Sequence, residues 1–158
     1  VAGDQYTAAS EAIHTGTSAL VVLDVMAGSG RRLNLNELAV TFNGTSSSAV
    51  PVIVRLVRTT VAPVGGGTIT QAATPQDPAA PASNATAYMP TTASPGVYAT
   101  TPPTVGVTLR TWYVPPTSGI VIQFPQGQEP DCAVSAGLGI QILAAADVQA
   151  SSSLTWTE

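Results

Sequence analysis

RRLNLNELAVTF, residues 31–42, alternates like a β-strand but changes phase halfway along. Leu33 and Leu35 stand at odd positions, whereas Leu38, Val40 and Phe42 stand at even ones. Successive side chains of a strand point to opposite faces, so one straight strand cannot bury all five together. A β-bulge at Glu37 resolves the conflict, because one extra residue re-aims the chain and restores the inward face with the opposite parity. The stretch therefore predicts a bent strand of a half-buried sheet. Glu37 would then point where an apolar residue would otherwise sit. A charge between sheets or subunits is tolerated only when it is paired, so Arg55 and Arg58 on the next strand are its expected ion-pair partners.

Composition points the same way. The chain of 158 residues is long enough for one domain and one core. Only 9% of it is charged, against about 25% in an average soluble protein, and Thr, Ser, Gln and Asn must cover the surface instead. Abundant Thr and Val, with 14 Gly and 13 Pro, favour short strands and tight turns over helices. All five basic residues are Arg, at positions 31, 32, 55, 58 and 110, and the formal net charge is -4. Without a basic stripe, no direct nucleic-acid partner is expected. No apolar run reaches the ~18 residues of a membrane span and no Lys/Arg-led signal peptide opens the sequence, so a soluble protein with no membrane partner is expected. Cys132 is the single cysteine, which rules out an intrachain disulfide and predicts a buried, inert thiol.

Working outward from 31–42, SALVVLDVM (18–26) and the AGSG turn (27–30) before it suggest a first hairpin. VPVIVRLVR (50–58) follows as a strand with Arg55 among apolar neighbours. VTLRTWYV (107–114) and IVIQF (120–124) flank PPTSG as a second hairpin, and CAVS (132–135) is an edge candidate. LGIQILAA (138–145) and DVQASSSLTW (147–156) form a third hairpin. About eight strands at this spacing predict an all-β domain over residues 18–158: a single antiparallel β-sandwich of jelly-roll type.

Two segments lack this patterning. Residues 1–17 predict an extended N-terminal arm that orders against a partner, with Asp4, Tyr6 and His14 as contact candidates. Residues of about 60–106 form a Pro/Ala/Gly-rich stretch far beyond ordinary loop lengths, with room for short strands at 68–73 and 96–100. Its low charge argues for a loop pinned against a neighbouring subunit, with Tyr88 and Met89 as contact candidates. Removing residues 1–17 or 74–95 should then weaken assembly and leave the sandwich folded.

Chemistry is sparse. His14 is the only histidine and would have to serve a Ser-His-Asp triad from the arm, while one His and one Cys supply no metal-ligand spacing. AGSGRR lacks the Gly-Lys-Ser/Thr ending of a phosphate loop. Among Asp24, Glu37, Glu129 and Asp131 no pattern selects an acid pair. No catalytic, cofactor-binding or metal-binding residue is therefore expected. Asn43-Gly44-Thr45 and Asn84-Ala85-Thr86 match the glycosylation acceptor pattern and are expected to be silent.

RRLNLNELAVTFNGTSSSAVPVIVRLVR, the variable middle, TWYVPPTSGIVIQFPQGQE and the closing LGIQILAAADVQASSSLTWTE together form a familiar pattern of strands and turns. It resembles the small β-sandwich decoration (cement) proteins of tailed-bacteriophage capsids. The resemblance implies a non-enzymatic virion structural protein without cofactor. It would be a homotrimer on the outer capsid surface whose partner is the major capsid protein, which it bridges and stabilises. The alternative reading is a receptor- or carbohydrate-binding head, with Tyr88, Tyr98 or Trp112 exposed around a cleft.

Overall fold

The computed structural model describes residues 3–44, 50–65, 69–98 and 100–158. Thr45 of the first acceptor pattern, residues 66–68 and Ala99 of the long stretch, and Val1 and Ala2 of the expected arm lie outside these. Thirteen strands appear in the described residues: β1 (Gln5–Ala9), β2 (Ile13–His14), β3 (Leu20–Met26), β4 (Leu33–Phe42), β5 (Val52–Val61), β6 (Ile69–Gln71), β7 (Thr74–Pro75), β8 (Thr86–Met89), β9 (Thr104–Val114), β10 (Gly119–Gln123), β11 (Asp131–Cys132), β12 (Gly137–Leu143) and β13 (Gln149–Thr157). The expected count of eight is too low because β1, β2 and the short strands of the long stretch join the sheets.

The domain is all-β, with two antiparallel sheets. One runs β10-β4-β13-β1-β7, with β11 extending the β10 side of β4 and β2 pairing β13; the other runs β6-β8-β3-β12-β5-β9. Their inner faces share one apolar core that includes Leu35, Leu38 and Trp156 from the first sheet and Val54, Leu56 and Ile140 from the second. No described residue lies in a helix.

β4 carries the bulge that its parity demands. Glu37 faces Thr155 across the ladder and Leu35 faces Trp156, which leaves Asn36 as the extra residue. Leu33, Leu35, Leu38, Val40 and Phe42 all enter the core as a result. Burying each is worth about 1.5–3 kcal/mol, enough for the sequence to accept one irregular backbone step.

All three expected hairpins are instead crossovers between sheets. β3 and β4, β9 and β10, and β12 and β13 each lie in opposite sheets. A turn signal says that the chain reverses; it does not say whether the next strand bonds beside the last one or faces it across the core. Both arrangements place alternate apolar residues inward.

The arm expectation is overturned. β1 pairs with β13 over Gln5↔Thr157 to Ala9↔Ser153, and Tyr6 is fully buried. Its ring stacks on Trp156 with centroids 6.2 Å apart, and its hydroxyl donates to the Pro81 carbonyl at 3.0 Å. Tyr6 and Ala8, two residues apart, are the buried face of this strand, a run too short to show as a period in the sequence. Within the long stretch, β8 pairs with β3, Met89 is fully buried, and Tyr98 donates to the Val21 carbonyl at 2.7 Å. This segment covers its own sheet. Of the two short strands expected there, β6 falls within 68–73, while 96–98 has no strand.

Candidate functional site

The bulge turns two consecutive side chains, Asn36 and Glu37, toward solvent on the outer face of the first sheet, and both are half-buried. Beside them the neighbouring chain leaves the sheet. β10 ends at Gln123, opposite Glu37; the Phe124 amide still donates to the Asn36 carbonyl at 2.9 Å, and residues 125–129 loop outward. The chain returns where the Leu35 amide donates to the Pro130 carbonyl at 2.8 Å, and β11 then pairs with Leu33 and Asn34. Gly127 permits the turn, since its φ of +84° is a left-handed conformation that side chains other than glycine resist.

The outward loop makes one wall of a polar groove. A cavity of about 610 Å³ lies over Gln5, Asn34, Asn36, Phe124, Gln126 and Glu129, and an adjoining one of about 330 Å³ is bordered by Glu37, Gln76 and Gln123. Gln5, Asn36 and Phe124 line both. The floor is held by internal bonds: Asn36 Nδ2 donates to Thr157 Oγ1 at 2.6 Å, Gln123 Nε2 to Glu37 Oε2 at 2.9 Å, and the Gly127 amide to Glu129 Oε2 at 2.6 Å. No Lys or Arg lines either cavity.

Glu37 therefore has no arginine partner. The bulge aims it away from the second sheet, where Arg55 and Arg58 lie, and Gln123 takes the place expected of them. Arg55 Nη1 instead reaches Gln141 Oε1 on the adjacent strand at 3.4 Å. Arg58 does bridge the two sheets, but to Asp131: Nε donates to its carbonyl at 2.8 Å and Nη2 to Oδ1 at 3.0 Å, with Arg32 Nη2 on Oδ2 at 2.8 Å.

The contact candidates are not brought together. Tyr6 and Met89 are in the core, Asp4 gives its carbonyl to the Glu158 amide at 3.2 Å, and Tyr88 stands half-buried opposite Asp24. His14 Nδ1 lies 2.7 Å from Asp147 Oδ2, a His-Asp pair reminiscent of a triad. Its Nε2, where a nucleophile would sit, is 3.0 Å from Gln149 Nε2. Partial burial would raise the Asp147 pKa, but the Gly16 amide at 2.8 Å and His14 outweigh it and hold the carboxyl below its ordinary value.

Two further titratable groups are buried. Asp24 is fully buried on the outer side of the second sheet; Thr59 Oγ1 donates to its Oδ1 at 2.7 Å and Oδ2 has no partner among the described residues. Burial pushes its pKa up to about 7, against a smaller lowering by Thr59. Cys132 is buried, its thiol donates to the Ala136 carbonyl at 3.4 Å, and desolvation pushes its pKa up to about 11. That suits an inert thiol. Among the described residues no group of three His, Cys, Asp or Glu side chains is placed to hold a metal ion.

Sequence reasoning did not single out Gln5, Asn34, Gln76 or Gln126 as site residues. They come from four separate segments, and only the phase change in β4 marked the place where they meet. No family model, curated protein or solved structure matches the chain.

Proposed function

We propose that the protein is a non-enzymatic virion structural subunit, a decoration or cement protein that sits on the outer surface of a bacteriophage capsid and bridges major capsid protein subunits. The observation that carries the reading is the path of the chain. The eight principal strands in order, β1, β3, β4, β5, β9, β10, β12 and β13, set β10-β4-β13-β1 against β9-β5-β12-β3. That order supports a jelly roll, an architecture recurrent in viral capsid and lectin domains.

Surface chemistry supports assembly. Val121, Ala39, Ser153 and Ala9 lie side by side in register on the outer face of the first sheet, small and uncharged, so a partner seated there desolvates no ion. At the edge of the second sheet, β9 carries exposed Val107 and Tyr113, 57% and 72% accessible, which suits contact with another copy in a trimer. A trimer over a local three-fold axis would join individually weak contacts through effective concentration. The test is copurification with intact virions and location of the subunit's density. Density on the outer shell over junctions between capsid subunits is expected; a protein absent from virions, or found only at a fibre tip, overturns the reading. The receptor- or carbohydrate-binding head remains the second reading, favoured by the amide-lined groove.

A further inference from the structure

The geometry points to a binding site for a neutral saccharide in the groove that the β4 bulge opens between Asn36, Gln126 and Gln5. The inference is independent of the capsid assignment, because a subunit seated on a shell by one face can bind a glycan with another.

A sugar hydroxyl both donates and accepts, and a pair of neighbouring hydroxyls is matched by a primary amide, which offers one carbonyl oxygen and two N–H donors in one plane. Gln5, Asn34, Gln76 and Gln126 border the groove at exposed positions, and their side-chain amides are not tied to another described residue. Asn36, Gln123 and Glu129, by contrast, are oriented by the bonds to Thr157, Glu37 and the Gly127 amide. The site thus combines three fixed polar groups with four exposed amides that are free to turn toward a ligand.

Phe124 supplies the apolar element. The residue is half-buried, packs against the core and borders both cavities. An aromatic surface of that kind offers a pyranose ring the packing area for its C–H face. The groove carries Glu37 and Glu129 and no cation, so sulfated, sialylated or phosphorylated ligands meet repulsion without a counter-charge. Nor does it offer the deep apolar pocket that anchors a peptide. Its volume of about 610 Å³, continued by about 330 Å³, exceeds what one sugar ring needs.

The experiment titrates the full chain with the trisaccharides of glucose, mannose, galactose and N-acetylglucosamine and with their sulfated forms, read by calorimetry and by amide chemical shifts. At least one neutral trisaccharide should bind and move the resonances of Asn36, Gln126 and Thr157. The pair Gln5→Ala and Gln126→Ala, both on exposed positions, should weaken binding by about tenfold or more with little change in Tm. Phe124→Leu, which keeps apolar volume and removes the ring face, should weaken it too, while Ser151→Ala further along the same face should not. The proposal is overturned by any of three results: no shift with any neutral trisaccharide at about 10 mM, tighter binding of the sulfated forms, or a Gln5/Gln126 double variant that binds like the parent.

Discussion

Arg58 on β5 holds Asp131 on β11 through two hydrogen bonds, from Nε to the carbonyl at 2.8 Å and from Nη2 to Oδ1 at 3.0 Å. This contact, and not one to Glu37, ties the sheets together at one end of the core. Its side chains are 43% and 36% exposed, so solvent screening reduces it well below the 3–5 kcal/mol of a fully buried pair. Arg58→Met keeps the apolar stem and loses both bonds; a destabilisation of about 1 kcal/mol in chemical denaturation is expected. Glu37→Gln should be close to neutral. A double-mutant cycle that finds Arg58 coupled to Glu37 and not to Asp131 would contradict the geometry.

Asp24 makes stability depend on pH in a direction opposite to ordinary acid denaturation. Its pKa is raised from 3.8 to about 7, so between those values the folded protein retains a proton that the unfolded chain has released. Stability therefore falls as pH rises from about 4 to about 7, by up to about 4 kcal/mol, and levels off above that. Asp147 and Glu158 act the other way: their lowered pKa values withdraw stability as pH falls below the ordinary carboxylate range. For Glu158 burial works upward, but Ser83, the Asn84 and Ala85 amides and Trp156 prevail. Measured as Tm against pH from 4 to 8, the parent should decline toward neutrality and Asp24→Asn should flatten that decline. A parent Tm that climbs from pH 5 to 7.5 would refute the burial argument.

Removing residues 1–9 should abolish cooperative folding, because the truncation strips β1 from β13 and uncovers Trp156. Tyr6→Ala should cost about 3–5 kcal/mol, in the range of large aromatic truncations in cores. Tyr6→Phe, which loses only the bond to Pro81, should cost about 1 kcal/mol. A truncated chain with an unchanged melting transition would restore the picture of a detachable arm.

The bulge can be tested by deletion. Without Asn36, the residues Leu33, Leu35, Leu38, Val40 and Phe42 alternate strictly, so the shortened strand can bury all five in a regular ladder. Deleting Ala39 instead sends Val40 and Phe42 to the outer face while the bulge remains. The Asn36 deletion should express as a folded protein with a cooperative transition, whereas the Ala39 deletion should not. Equal behaviour of the two would mean that strand phase is not what shapes β4.

Strand existence and the bulge were legible in the chain itself because both follow from counting residues: side chains alternate with period two, and one inserted residue shows as a change of phase between Leu35 and Leu38. The all-β class followed from composition for a similar reason, since Thr, Val, Gly and Pro act through local backbone preference. Burial of Cys132 was also legible, as it needs only a small apolar side chain with no basic neighbour in sequence.

Everything that depended on which strand lies beside which was decided by tertiary structure. Among the described residues no two consecutive strands pair with each other, so even Gln71 and Ala87, a register pair of the most local ladder, are separated by β7 in the chain. Turn residues specify a reversal, and only packing across the core determines whether AGSG closes a hairpin or carries the chain to the facing sheet. The same holds for Glu37. Its place at a bulge was written in residues 31–42, but whether it would meet Arg58 or Gln123 depended on which face the extra residue turned outward. That was settled by the far larger free energy of burying Leu38, Val40 and Phe42 on the other side.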